Sequence, residues 1–390
     1  MTTQNSGMAA TVAAFFAEAG ITINGSAPAD IRVHDPRFYA AVLADGELGM
    51  GESYMAGWWD CDAIDALATR FIAAGLLERG YRNPRVILYA LLARIRGVGS
   101  RARAFDVGRH HYDIGNDLFE AMLDPRMIYS CADWSTAATL EAAQEAKLDL
   151  VCRKLGLQPG QRLLDIGCGW GGLAAFAAER YGVSVVGVTV SEQQAALARA
   201  RVTHLPVDIR LCDYRDLNEP FDHVASVAMV EAVGLRFLDT YMATVARVLK
   251  PEGRFMLHGF YGNQPVAPQH ARWLDRYIFP GGASPSLPQI LQAAEGRLAV
   301  EALHRVDGYD RTLQEWDKRF TAAWPGLAAR YDERFYRMWR FYLGISQGIF
   351  RARLCHVWHI VFSHQLPGKG PTPAFFPISE LEARSFLPPP

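Results

Sequence analysis

The chain has 390 residues, 50% hydrophobic and 21% charged, enough to bury a large core and to divide into two domains. Lys and Arg total 40 against 41 Asp and Glu, so there is no global basic footprint for nucleic acid, and attraction to a membrane must come from a local patch. Cys61, Cys131, Cys152, Cys168, Cys212 and Cys355 form no C-x-x-C pair, which suggests neither a metal site nor a disulfide framework and fits a reducing cytoplasm; no charged leader or run of about 18 apolar residues predicts a signal peptide or membrane span.

Met1 to Gly7 read as an irregular lead and Met8 to Ala19 as an Ala-rich helix. Asp30 to Leu77 predicts one strand and two or three short helices, with Gly46, Gly49, Gly51 and Gly57 as turns. This gives a small, mainly helical N-terminal module over 1–100, whose Tyr54, Trp58 and Trp59 fit packing better than a lipid anchor. Arg85, Arg94, Arg96, Arg101, Arg103, Arg109, His110 and His111 form a basic stretch. It suits either anionic lipid headgroups or a solvated linker helix, and Gly97 to Ser100 mark a domain boundary.

The second domain, 101–366, opens with polar residues among aromatics at His111 to Phe119 and Tyr129 to Trp134, as expected of loops over a ligand, and continues into a helix over Leu140 to Leu155. Its centre is Leu163-Leu164-Asp165-Ile166-Gly167-Cys168-Gly169-Trp170-Gly171-Gly172, a strand, a glycine turn and a helix N-terminus whose first amides can face a bound group. There is no Lys-Ser/Thr for gripping phosphates, which favours S-adenosylmethionine over ATP. A strand over Val183 to Thr189, a helix over Ser191 to Arg201 and a strand over Val207 to Cys212 continue a doubly wound α/β pattern. That topology gathers Asp165 to Gly171, Thr189 and Asp213 to Arg215 around one crevice at the strand ends. The second strand ends without the carboxylate a dinucleotide enzyme uses for ribose.

A fourth strand, Asp222 to Met229, leads to Glu231, and a fifth, Gly253 to His258, ends at Gly259, so a carboxylate and an imidazole can converge as acid, base or orienting groups. The Pro- and aromatic-rich insertion 262–296 predicts a substrate cap. Leu298 to Val306 and Leu354 to Ser363 complete the sheet, separated by helices at Leu313 to Ala323 and Ala328 to Arg353, and 367–390 is an irregular tail.

These residues resemble the cyclopropane-fatty-acid synthase family of S-adenosylmethionine-dependent methyltransferases. The resemblance rests on Leu48 to Trp59, His111 to Phe119, Tyr129 to Trp134, the glycine loop, Gly187 to Thr189, Tyr277 to Gly281 and Phe350 to Arg353, and spans roughly Asp30 to Ser363. It implies a seven-stranded, Rossmann-like class I methyltransferase sheet. The N-terminal module resembles that of the longer bacterial form acting on membrane phospholipids, which implies a cytoplasmic enzyme peripheral on the inner face of the membrane, with a homodimer as a further expectation. The family pattern implies cofactor contacts at Tyr129, Ser130, Gly167, Gly169, Gly171, Thr189, Gln194, Tyr214 and Arg215. Gln194 also completes a capping box with Ser191, and Cys168 reads as a small filler.

A cis alkene is a weak nucleophile and must be pressed against the sulfonium methyl in a dry tunnel, and the carbocation left behind needs aromatic faces such as Phe260, Tyr277 and Trp316. Tyr277, Phe279 and Trp316 are the expected substrate contacts. A base must then deprotonate the new methyl group. The resemblance implies bicarbonate as that base, held by the Cys131 backbone, Glu231, His258 and the Phe260 backbone. Three positions depart from the family: Asp317 stands for a Tyr ligand, Ala232 for a His after the Glu, and Ser346 for a Cys. One expectation makes Asp317 a carboxylate beside Glu231, the two sharing a proton; the other turns it outward to pair with Arg319 or Lys318. Alternative outcomes are a methyl-branched or methylidene product, a sphingoid or furan-fatty-acid precursor as substrate, or an inactive lipid-binding homologue.

Overall fold

A computed structural model describes residues 3–77, 114–262 and 271–364. The basic stretch from Arg85 to His111, the boundary near residue 100, the first part of the cap insertion and the tail lie outside these residues.

The N-terminal module contains α1 (Thr3–Ala17), α2 (Arg37–Asp45), α3 (Glu47–Met55) and α4 (Ile64–Ala73), with β1 (Arg32–Val33) and β2 (Trp59–Asp60) paired antiparallel. The single strand expected between Asp30 and Leu77 is therefore a two-strand ladder. Its buried Trp59 donates to the main-chain oxygen of Met50 and to Ser53 Oγ, which confirms a packing role. After it come α5 (Asn116–Met122) and α6 (Leu140–Leu155), the latter capped by the Thr139 hydroxyl and ended by left-handed Gly156.

The main sheet then begins with β3 (Arg162–Ile166), α7 (Gly172–Tyr181), β4 (Ser184–Thr189), α8 (Glu192–Arg201), β5 (Val207–Leu211) and β6 (Phe221–Val227). Next come α9 (Val230–Val233), α10 (Leu238–Val248), β7 (Leu249–Gly262), α11 (Arg272–Tyr277), α12 (Leu287–Ala294) and β8 (Leu298–Val306). The last described elements are α13 (Tyr309–Leu327), α14 (Glu333–Arg351) and β9 (Cys355–His364). The strand order is β5-β4-β3-β6-β7-β9-β8, and β9 runs antiparallel to both neighbours. This is the expected seven-stranded sheet, and its apolar runs Leu163–Leu164 and Val185–Val186 are buried between helices on both faces.

Two boundaries move. The fifth sheet strand does not end at Gly259: β7 runs to Gly262 because β9 pairs with it as far as Cys355, placing His258 inside the ladder opposite His359. Glu231 lies in α9, just beyond the strand that was expected to lead directly to it. One apolar cluster joins Phe16, Phe38, Trp59 and Leu67 to Phe119, Trp273, Trp316 and Trp339, and the N-terminal module packs on α14 and the cap. Contact is close where Gly348 meets α4: a Cβ there would lie 2.4 Å from Ala68 Cβ.

Candidate active site

The glycine turn after β3 opens a cavity at the carboxyl ends of the parallel strands. Its lining includes Tyr129, Ser130, Asp165, Gly167, Gly169, Thr189, Gln194, Asp213, Tyr214 and Arg215. Two glycines set its shape. Gly167 has φ +82°, and a Cβ there would stand 2.6 Å from Met229 Cγ; at Gly172 a Cβ would strike the main-chain oxygen of Arg126 at 2.4 Å. Gly171 differs from expectation. It turns toward α8, where a Cβ would lie 3.3 Å from Ala198, and it is not part of the cavity lining.

The polar groups of this cavity hold one another. Thr189 Oγ1 donates to Gln194 Oε1 at 2.8 Å and accepts from the Ser191 amide at 3.2 Å, while Ser191 caps α8 by accepting from the Gln194 amide. Gln194 thus lines the cavity as expected, while the expected capping box is only half formed: Ser191 accepts the Gln194 amide, but the Ser191 amide goes to Thr189 Oγ1 and not to the Gln194 side chain. Asp213 receives Arg215 Nε at 2.8 Å and a second guanidinium nitrogen at 2.5 Å, a two-point clamp in a site where Asp213 is buried. Asp165 is also buried, and its Oδ2 has no hydrogen-bond partner among the described residues. Burial pushes its pKa up to about 7 against the opposing pull of Lys147.

Lys147 was not singled out from the sequence. It is fully buried, lines the cavity and donates to Ser130 Oγ at 2.9 Å. Burial lowers its pKa to about 8, opposed by the charges of Asp124 and Asp165. A signal was present: Ala143, Gln144, Lys147, Leu148, Val151, Lys154 and Leu155 recur at helical spacing on one buried face of α6.

A second polar site flanks the cavity. Glu231 Oε1 accepts the Phe260 amide at 2.7 Å, while Oε2 is buried and without a hydrogen-bond partner among the described residues. Burial raises this carboxyl to about 7. The cap insertion secures both residues, since the Ala283 amide donates to the Glu231 main-chain oxygen and Ser284 Oγ to the Phe260 oxygen. Sequence reasoning missed Ser284. The Phe260 backbone, expected among the holders of the anion, donates its amide to Glu231 and orients that carboxyl. His258 lies in the register position opposite Val227, its Nδ1 2.8 Å from His359 Nε2. Cys131 is fully buried, and burial pushes its thiol well up, so it stays protonated.

Aromatic rings connect the two sites. Tyr129, in the cavity wall, packs on Trp316 at 5.0 Å; Trp316 meets Tyr309 edge to face, Tyr309 packs on Phe350 at 4.5 Å, and Phe350 meets Phe260 edge to face. Phe279 packs on Tyr342, whose hydroxyl is 2.7 Å from that of Tyr129. Tyr277 departs from this group: its hydroxyl donates to Glu52 of the N-terminal module.

Asp317 fulfils neither expectation. Its Oδ1 lies 2.7 Å from Arg340 Nε on α14, whereas Arg319 pairs with Glu141 and Lys318 with Glu315. Burial raises Asp317 to about 6, with Arg340 opposing and Asp65 adding to the shift; Glu231 is raised by its own burial. The coupled carboxylate pair is therefore not formed, because a guanidinium on the facing helix captures Asp317.

The family model described as mycolic acid cyclopropane synthetase matches residues 99–360. The chain is 51% identical over 346 residues to the cyclopropane-fatty-acyl-phospholipid synthase of Escherichia coli K12, covering 88% of this chain and 90% of that protein. It is 36% identical over 343 residues to a tuberculostearic acid methyltransferase of Mycobacterium tuberculosis, covering 82% and 80%. Among solved structures, a cyclopropane synthase from Mycobacterium tuberculosis superposes with a TM-score of 0.63 at 31% identity, covering 66% of this chain and 97% of that one. A mycolic acid cyclopropane synthase complexed with SAH and CTAB gives 0.63 at 30% identity, covering 66% and 97%. With its glycine-lined cavity at the strand ends and this similarity over most of its length, the chain belongs to the mycolic acid cyclopropane synthetase family and is an S-adenosylmethionine-dependent methyltransferase.

Proposed function

We infer that the enzyme adds a methylene unit across the cis double bond of unsaturated phospholipid acyl chains, forming a cyclopropane ring. The observation that carries this reading is the run of rings from Tyr129 in the cofactor cavity to Phe260 beside Glu231. Such a wall lets an acyl chain lie dry and places aromatic faces where positive charge develops. The printed name of the Escherichia coli relative supports the substrate class.

S-adenosylmethionine fits the cavity. The glycine turn allows close approach, and the buried Asp165 Oδ2 offers an acceptor to a cationic ligand. When bound it supplies an electrophilic methyl group on sulfonium sulfur. Thr189, Gln194 and the Asp213–Arg215 clamp fix the cavity wall on the side of β4 and β5. On the substrate, the alkene carbon gains the methyl carbon as the carbon–sulfur bond breaks, leaving a carbocation. Loss of a proton from the new methyl then lets its electron pair close the ring.

Bicarbonate is the proposed proton acceptor, and the unpartnered Glu231 Oε2 fits its hydroxyl. When bound it supplies an oxygen base. Glu231 would hold it from one side, itself fixed by the Phe260 amide, with His258 as a second holder. We further propose that the enzyme meets its substrate as a peripheral protein on the inner membrane face; no described helix is long and apolar enough to cross a membrane.

The test is release of S-adenosylhomocysteine with vesicles of cis-unsaturated or fully saturated phospholipid. Release only with the unsaturated vesicles is expected. Equal release from both would overturn the alkene reading.

A further inference from the structure

Behind His258 runs a buried chain of three nitrogen-bearing side chains from three elements. Lys154 Nζ on α6 lies 3.0 Å from Nδ1 of His359 on β9, and His359 Nε2 lies 2.8 Å from Nδ1 of His258 on β7. All three are buried: Lys154 is 3% exposed, His359 0% and His258 2%. An ammonium has three donors and no acceptor, whereas a neutral imidazole has one of each. The direction of the chain follows. Lys154 donates, so His359 Nδ1 must accept and the His359 proton sits on Nε2. That proton is donated to His258 Nδ1, which leaves the His258 proton on its own Nε2.

We propose that Lys154 and His359 are positioning residues that lock His258 in the Nε2-protonated tautomer, so that it offers the deprotonation site a hydrogen-bond donor and not a base. The proposal rests on the reading of His258 as part of that site. A ring held in this way can grip an oxyanion, while proton acceptance falls to the anion and Glu231. The second nitrogen's partner decides which form an imidazole takes, and here that partner is set by a charge two side chains away.

Burial and the neighbouring lysines favour neutral rings. Burial pushes both imidazoles well below the ordinary histidine range, and the charges of Lys154 and Lys147 on α6 add to the effect; for His359, His258 itself and His304 on β8 contribute as well. With imidazolium disfavoured, only the choice of tautomer remains, and Lys154 makes it. The sequence hides this arrangement because Lys154 and His359 lie 205 residues apart.

The experiment uses the full-length protein labelled with nitrogen-15 histidine. Long-range proton–nitrogen correlation at neutral pH reads the tautomer, and His359→Gln and His359→Leu help assign His258 among the 11 histidines. Nε2-protonated His258 is the expected result; an Nδ1-protonated or doubly protonated ring in the wild-type protein would overturn the proposal. Glutamine carries both an acceptor oxygen and a donor nitrogen and can replace the relay, so His359→Gln should keep the tautomer and hold kcat within about threefold. Leucine cannot. His359→Leu should free the tautomer and lower kcat by roughly 10- to 100-fold, with the Kd for S-adenosylmethionine unchanged. Equal behaviour of the two variants would refute the relay. Because the tautomer is read from a spectrum and not from turnover, failure of the anion-site reading and failure of the tautomer assignment are separately visible.

Discussion

Replacing Glu231 with Gln should make the protein more stable at high pH relative to the parent while disabling it. Burial raises the carboxyl from 4.5 to about 7. At about 1.36 kcal/mol per pH unit, that gap means that the ionised side chain costs the fold about 3 kcal/mol. A folded-state pKa above the unfolded one gives a contribution fully present below the unfolded value and lost as pH rises through about 7. Glutamine does not titrate, retains an oxygen for the Phe260 amide, and carries whatever cost its amide imposes at every pH alike. The stability difference between variant and parent should therefore move by about 3 kcal/mol in the variant's favour between about pH 4.5 and about pH 8.5. Urea unfolding of both proteins in matched buffers, followed by tryptophan fluorescence, measures it. Methylene transfer by the variant should fall by about 100-fold or more. A stability difference that stays constant across this range would refute the account of Glu231 as a buried, titrating acid.

Thr189→Val removes the hydroxyl that accepts the Ser191 amide and donates to Gln194 Oε1 in the cavity wall; a loss of about 1–2 kcal/mol should raise the Kd for S-adenosylmethionine by roughly 5- to 30-fold in calorimetry. Asp317→Asn removes the partner of half-buried Arg340 and should cost about 1–3 kcal/mol in urea unfolding, yet leave kcat and its response to bicarbonate within about threefold; a collapse of kcat with unchanged stability would restore Asp317 as the base. Trp316→Leu interrupts the aromatic wall and should lower kcat by roughly tenfold with cofactor affinity intact, as read by steady-state kinetics alongside calorimetry.

The parts legible from sequence are those written in local pattern. Helix α6 is readable over Leu140–Leu155 from its local pattern, and the glycine turn from Gly167 to Gly172 reads as a ligand site because the strand, helix and strand after it repeat a doubly wound pattern. The parts that stayed hidden depend on distant partners. Strand β7 extends to Gly262 only because β9, about a hundred residues later, continues the ladder. Asp317 was misread because its partner Arg340 comes from the next helix, whereas sequence offered only its neighbours Lys318 and Arg319. Lys147 and Lys154 were visible as members of an apolar face but were passed over, since lysines are seldom buried without a partner and their partners Ser130 and His359 come from elsewhere in the fold. Tyr277 could be placed in the cap, but its attachment to Glu52 depends on how the N-terminal module docks.

The central claim is ring formation on an unsaturated acyl chain, and it is tested most directly by the product. Purified enzyme is incubated with S-adenosylmethionine and vesicles of a cis-monounsaturated phospholipid, and the released acyl chains are separated and fragmented by mass spectrometry against cyclopropane, methyl-branched and methylidene standards. The account predicts the gain of one CH₂ at the former double bond, eluting and fragmenting as the cyclopropane. A methylidene or methyl-branched chain, or an unchanged acyl chain in the presence of bound cofactor, would contradict it.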